Sequence, residues 1–269
     1  MNPSPTIVEL DDRAVLAVTG ADARSFLQGL LTNDLDQLAV DCPLYAGLLS
    51  PQGKALFDMI LFADPDGVLV DVAAARGPAL ARRLSMYRLR KAVTIAPSPL
   101  RVLAGWNGAE AGHPADPRFA ALGARWLADG ATPGSAAYDA HRLQVGVPDS
   151  ADIGEDELLW LETGADLLGG VSFTKGCYVG QENTARMHHR DKVRRRLVPV
   201  SIAGDPGDGV VRDAAGRTAG TLRSHAGGLG IAHLRLEAAA GPLTAGGAAL
   251  TVGRPAWLEP ALAAAVAGA

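Results

Sequence analysis

The densest chemistry in the chain lies in residues 173–182, FTKGCYVGQE. Cys177 follows Lys175 and Gly176, and Tyr178, Gly180, Gln181 and Glu182 come after it. Two glycines so close around a cysteine and an aromatic residue predict a tight loop. Residues 182–189 then read as the start of a helix. A thiol near a helix N-terminus, with a lysine two positions away, sits in positive potential. That is the setting in which cysteines attack electrophiles or bind metal. The alternative is a buried, inert thiol, the commonest fate of a lone cysteine.

The flanking residues offer two further possibilities. His188 and His189 are potential metal ligands, but neighbouring side chains on a helix diverge. Arg186, Arg190, Lys192, Arg194, Arg195 and Arg196 form the densest cationic run, interrupted in charge by Asp191. It reads either as a solvated face or as an anion site for a polyglutamate tail, a phosphate or RNA.

Other motifs fail on spacing. Gly47 and Gly53-Lys54 are one residue too far apart for a phosphate loop, and Ala55 stands where the magnesium-binding hydroxyl would be. Gly228-Leu229-Gly230 lacks the third glycine of a dinucleotide fingerprint. Cys42 and Cys177 are the only two cysteines, too few for a disulfide framework or for the roughly four thiolates of an intrinsic iron–sulfur cluster. A reducing compartment, the cytoplasm, is therefore expected.

The elements that must position these residues follow from turns and periodicity. A content of 48% hydrophobic and 20% charged residues predicts a folded chain, and a net charge of −4 argues against general nucleic-acid binding. The first residues show no basic region followed by an apolar one, so no signal peptide is expected. No apolar run is long enough to span a bilayer, and no membrane partner is expected. Residues 13–18 read as a buried strand, and Asp22 as the cap of a helix containing Phe26, Leu27, Leu30 and Leu31. Residues 44–50, 55–63 and 68–72, separated by Gly- and Pro-containing turns, read as an antiparallel meander. Residues 78–87 predict a helix, 91–95 a strand, and 135–145 a helix capped by Ser135. Residues 105–135, rich in Gly, Ala and Pro, read as a variable insertion or loosely packed subdomain. After residue 193, short β-like pieces between glycines predict a small barrel. The division is thus an α+β region, residues 1–194, followed by a β-barrel, residues 195–269.

The octapeptide KGCYVGQE resembles the signature of the YgfZ family, including its mitochondrial iron–sulfur assembly relatives. The resemblance extends through residues 171–174, Thr184-Ala185-Arg186, FLQGLLTND (residues 26–34), Tyr45-Ala46-Gly47-Leu48-Leu49 with Gln52-Gly53-Lys54, Tyr87-Arg88-Leu89-Arg90 and residues 220–235. Leu161-Glu162-Thr163-Gly164 is similar to the LEAG segment of the glycine-cleavage T-protein, an aminomethyltransferase. The resemblance implies an aminomethyltransferase fold: two α+β subdomains and a C-terminal β-barrel, ringed around a central folate channel. It also implies that Glu162 contacts the pterin, where a carboxylate can accept two N–H bonds. Asp58 would lie in a strand near the reactive folate nitrogen, able to move protons. Tyr178, Gln181, Glu182 and Arg186 are expected beside the same tetrahydrofolate. Cys177, with Lys175 assisting, would act as nucleophile or as a transient ligand of an iron–sulfur cluster. The T-protein has no cysteine at this position and commonly an arginine at that of Gln181. Trp160 and Asp191 depart from the residues usual among relatives, proline and glycine.

The function expected from the resemblance is that of a folate-binding accessory factor for iron–sulfur cluster assembly or repair. Such a factor would support tRNA-modifying cluster enzymes and would not be a conventional enzyme. Its partners would be folate, assembly proteins and client enzymes, with the chain a monomer. The alternatives are a tetrahydrofolate-dependent aminomethyl transferase and a tRNA-binding protein.

Overall fold

The computed structural model describes residues 4–189 and 193–267. The chain forms two compact units: Met1–Tyr138 with Leu168–Gln181, and Asp139–Leu167 with Glu182–Ala269.

The first unit contains β1 (Thr6–Glu9), β2 (Arg13–Thr19), α1 (Ala23–Gln28), β3 (Leu44–Leu49), β4 (Ala55–Asp64), β5 (Gly67–Ala73), α2 (Gly77–Arg88), β6 (Thr94–Pro97), β7 (Arg101–Trp106) and β8 (Ala124–Ala128). The meander is present: β3, β4 and β5 pair antiparallel, and β2 and β6 extend the sheet to the order β3-β4-β5-β2-β6. Alternation along the strands gives the sheet two different faces. One face carries Leu16, Val18, Ala46, Leu48, Met59, Leu61, Val68, Val70 and Val72. It packs against Phe26, Leu27, Leu30 and Leu31 from α1 and the turn after it, and Leu80 and Leu84 from α2. β4 is buried along nearly its whole length. Such burial goes with a nearly continuous apolar run, broken only by Asp58 before the strand's last residue.

The opposite face is also buried and mixes polar with apolar residues. Tyr45 lies opposite Ile60 in the β3–β4 register, and Ile60 lies opposite Asp71 in β4–β5. Asp71 is wholly buried. Its Oδ1 accepts from Arg13 Nε at 2.7 Å, and its Oδ2 accepts from Arg125 Nε at 2.8 Å. Arg125 belongs to β8, in the second sheet of this unit, β1-β7-β8. One carboxylate therefore clamps the two sheets together. Arg118 pairs with Asp116 (Nη2–Oδ2 2.8 Å) and donates to Tyr138 Oη at 2.6 Å, and Arg125 Nη1 donates to the same phenol oxygen at 3.3 Å. Burial alone would push the Asp116 carboxyl up; the Arg118 and Arg125 guanidinium groups outweigh it and hold it below the usual range.

This network lies in the stretch that composition marks as loosely packed. Residues 105–135 instead contain the end of β7, all of β8, and the buried Arg118, Leu122, Arg125 and Trp126. Three of the buried residues there, Asp116, Arg118 and Arg125, are charged, and they interrupt any apolar periodicity.

α3 (Ser135–Val145) and α5 (Gln181–His189) carry the chain across the unit boundaries. Two expected caps have other work. Asp22 Oδ2 accepts from Ala92 N–H at 2.7 Å, and Ser135 Oγ donates to Asp12 Oδ1 at 2.5 Å.

The second unit holds α4 (Ser150–Ile153), the strands β9 (Arg195–Ala203), β10 (Val210–Asp213), β11 (Thr218–Ala226), β12 (Leu229–Arg235), β13 (Leu243–Ala245) and β14 (Ala248–Val252), and α6 (Glu259–Ala267). The strands close into a six-stranded antiparallel barrel in the order β10-β11-β12-β9-β14-β13, which leaves no free sheet edge. Arg142 from α3 reaches Asp152 of α4 (Nη1–Oδ2 2.8 Å), and Ser224 of β11 donates to the other Asp152 oxygen at 2.5 Å. The helical segment is thereby fastened to the barrel.

Asp71→Asn removes the charge shared by Arg13 and Arg125 while keeping the shape. Breaking a buried pair from one side costs about 3–5 kcal/mol. Urea unfolding is expected to show a loss of that order, and a loss below about 1 kcal/mol would contradict the clamp.

Candidate functional site

The loop containing Cys177 is held by the first unit at several points. Upstream, Thr32 is fully buried. Its Oγ1 donates to Gly170 O at 2.7 Å and accepts from Gly47 N–H at 2.8 Å, while Ser172 N–H donates to Thr32 O at 3.0 Å. Asn33 Nδ2 donates to both Gly169 O and Tyr45 O at 2.8 Å. The FLQGLLTND segment is thus the seat on which the loop rests.

Lys175 supplies the central anchor. Its Nζ donates to Gln28 O at 2.7 Å, Leu31 O at 2.8 Å and Asn33 O at 2.7 Å. An ammonium has three donors, and all three are used. Two of the acceptors, at and just beyond the end of α1, are carbonyls of the kind a helix C-terminus leaves unsatisfied. Burial pushes Lys175 down to about 8, partly offset by Asp34 and Asp36. The group therefore remains mostly protonated at neutral pH and keeps its three N–H bonds. Asp34 is itself fixed: its Oδ1 accepts from Gln28 Nε2 at 2.7 Å, and Gln28 Oε1 accepts from Leu35 N–H at 2.8 Å.

Downstream, Tyr178 is buried, with Lys175 Nζ 5.4 Å from its ring centroid. Val179 packs against the apolar cluster of the five-stranded sheet. Gly180 has φ +83°, and a Cβ there would stand 2.6 Å from Ser50 O. Only glycine fits a turn so close to the backbone of the β3–β4 connection. Gln181 N–H returns to Tyr178 O at 3.3 Å as α5 begins.

Between these anchors Cys177 is exposed, and it is a free thiol. The inert, buried alternative does not describe it. Lys175 has a different role from the assisting cation expected from sequence, because its donors hold the loop's path. The same arrangement that buries residues 175 and 178 turns residue 177 outward.

The other predicted residues are placed as follows. Asp58 lies on β4 opposite Gly47, buried on the face of the sheet that carries Asp71. Cys177, Lys175, Tyr178, Asp58 and Gln181 belong to the first unit; Glu162, Glu182 and Arg186 belong to the second. Glu182 and Arg186 are exposed on α5, with Arg186 Nη2 donating to Asn183 Oδ1 at 2.7 Å. Glu162 lies in a short 3-10 turn, Trp160–Thr163, closed by Gly164 with φ +84°. Arg196 ties that turn to β9: its Nη1 donates to Leu161 O at 2.7 Å and to Asp166 Oδ1 at 2.6 Å. Part of the basic run is thus structural. Arg190, Asp191 and Lys192 lie outside the described residues. His188 and His189 are exposed with ring centroids 4.9 Å apart, and no cluster of three or more metal-binding side chains occurs among the described residues.

Sequence reasoning missed His233 on β12. Its Nε2 is 3.8 Å from Glu162 Oε2 and has no hydrogen-bond partner among the described residues. Glu162 Oε2 accepts from Leu159 N–H at 3.2 Å. Burial pushes Glu162 up, against the pull of Leu159 N–H, Arg195 and Arg196. Burial, then Arg195 and Arg223, push His233 down to about 4. At pH 7 the His233 imidazole is therefore neutral. A single histidine in an alternating strand carries no signal that would single it out.

Comparison with known proteins fits this anatomy. Residues 194–260 match the family model of the CAF17 C-terminal beta-barrel domain. The mitochondrial iron–sulfur cluster assembly factor IBA57 of Homo sapiens is 37% identical over 279 residues, 87% of this chain and 78% of that protein. The chain belongs to the IBA57 family. The IBA57 homologue of Coccidioides immitis is 30% identical, covering 87% of this chain and 72% of its own length. Aminomethyltransferase T of the glycine cleavage system from Bartonella henselae superposes with a TM-score of 0.76, covering 95% of this chain and 86% of that one. At 16% identity it shows the fold alone: an aminomethyltransferase fold, as the LEAG-like segment implied. The IBA57 relatives are named as mitochondrial proteins, whereas cysteine usage pointed to the cytoplasm. No described helix is long and apolar enough to cross a membrane.

The folded state keeps His233 neutral down to about pH 4, while its ordinary value is 6.5. Between those values the unfolded chain holds more protons, so acidification removes stability. The loss from this group is on the order of 3 kcal/mol, at about 1.4 per pK unit, and proton uptake by Glu162 offsets part of it. His233→Gln is expected to flatten the fall in urea-unfolding free energy between pH 6.5 and 4. An unchanged slope would contradict the burial of a neutral imidazole.

Proposed function

We propose that this chain serves iron–sulfur cluster assembly or repair by presenting Cys177 to a cluster in transit. The observation that carries the reading is a free, exposed thiol on a loop whose neighbours on both sides are fixed. Among the described residues no group of three or more metal-binding side chains occurs. One thiolate does not complete an iron–sulfur site, so a partner protein supplies the remaining ligands. The kinship with IBA57 assembly factors supports the same reading.

The folate part of the proposal rests on the second unit. Glu162 offers a half-buried carboxylate with one oxygen on Leu159 N–H, beside a buried imidazole nitrogen that has no hydrogen-bond partner among the described residues. This donor–acceptor set fits the edge of a 2-amino-pyrimidinone ring, and Glu162 with His233 would hold tetrahydrofolate there. When bound, folate supplies a one-carbon carrier. Asp58, buried in β4, is the candidate for proton movement in the first unit. Tyr178 and Gln181 in that unit, and Glu182 and Arg186 in the second, are the other proposed folate contacts. Support of tRNA-modifying enzymes would follow from their need for clusters.

Cys177→Ala is expected to leave urea unfolding and calorimetric titration with tetrahydrofolate unchanged. In cells lacking the native gene it is expected to abolish support of cluster-dependent enzymes. Full complementation by the alanine variant would sink the thiol proposal, and a native protein taking up no tetrahydrofolate would sink the folate proposal. Release of ammonia from an aminomethylated substrate by the alanine variant would favour one-carbon transfer instead.

A further inference from the structure

The end of α2 breaks a local rule without any return inside the chain. Lys91 N–H donates to Arg88 O at 3.0 Å, closing a turn with Leu89 and Arg90 at its corners. Leu89 has φ 49° and ψ −117°, the first corner of a type II′ turn, a position that glycine normally fills. A leucine there is strained, and it is 87% exposed, so burial within the chain does not compensate. Met86, three residues earlier, is 64% exposed. Both are among the few large apolar side chains exposed to this degree among the described residues.

The surroundings are cationic. Residues 72–109 contain Arg76, Arg82, Arg83, Arg88, Arg90, Lys91 and Arg101 and no aspartate or glutamate, in a chain of net charge −4. Arg82, Arg88, Arg90 and Lys91 are exposed. Arg88 Nη1 donates to Val93 O at 3.3 Å, which holds its charge at the turn. One carboxylate reaches the turn from another element: Asp22, whose Oδ2 accepts from Ala92 N–H.

We propose that this tip docks on an anionic lipid surface, with Leu89 and Met86 entering the interfacial region and the four exposed cations meeting headgroups. Two apolar side chains are far less than the roughly 800 Å² per partner of a stable protein interface. A bilayer needs no matching pocket, and a small apolar tip with a basic skirt suits its interface. The sequence expectation of no membrane partner rested on the lack of a spanning segment; surface docking requires none.

The test is co-sedimentation of the full chain with vesicles of phosphatidylcholine alone or of equal parts phosphatidylglycerol and phosphatidylcholine. Binding is expected to the anionic vesicles, at least about tenfold over the neutral ones, and to weaken with salt. Leu89→Gly relieves the turn and is expected to fold at least as stably while losing most of the binding. The double variant R90E/K91E is expected to lose at least about tenfold. Binding that Leu89→Gly leaves intact would overturn the proposal, because charge alone would then explain it. Absence of binding to either vesicle would overturn it too, leaving an acidic protein as the tip's occupant.

Discussion

An ammonium group surrounded by three backbone carbonyls determines how this protein displays Cys177. Lys175 uses every donor it has on Gln28, Leu31 and Asn33. Buried carbonyls need partners, and a buried ammonium needs acceptors; each requirement is met by the other. The consequence is a fixed path for residues 175–180, with Tyr178 inward, Gly180 against the Ser50 carbonyl and Cys177 outward. The proposed presentation of Cys177 to a partner's cluster requires a thiol that is accessible and reproducibly placed. The grip on its neighbours meets both conditions without enclosing the sulfur.

The seat beneath the loop depends in turn on the polar interior of the first unit. Thr32 and Asn33 tie the loop to β3 through Gly47 and Tyr45. β3 belongs to a sheet whose second face is secured by the Asp71 clamp between Arg13 and Arg125. Apolar packing on one face and an ion network on the other give this sheet different tolerances. The apolar face can be repacked in small steps, whereas removal of one charge from the network leaves the remaining buried charges unbalanced.

Much of this could be read from the sequence. The meander was legible because Gly and Pro turns separate its strands, and the barrel because short β segments recur between glycines. KGCYVGQE and the LEAG-like segment pointed to the fold. The role of Lys175 was not legible, since sequence proximity to Cys177 says nothing about which distant carbonyls take its protons. Residues 105–135 were misread because arginine and aspartate, which composition counts as surface, are buried there among Trp106, Leu122 and Trp126. Asp22 and Ser135 look like caps but bond to residues 70 and 123 positions away. His233 acquires meaning only when β12 sets it near Glu162.

The most direct measurement is an NMR titration of the Lys175 side chain, following its Cε and Nζ shifts with pH. The account predicts a midpoint near 8, well below an ordinary lysine. It also predicts slowly exchanging ammonium protons on the low-pH side and loss of amide protection in residues 175–181 on the high-pH side. An ordinary lysine midpoint, with rapidly exchanging protons and a loop indifferent to the titration, would contradict the claim that this ammonium holds Cys177 in place.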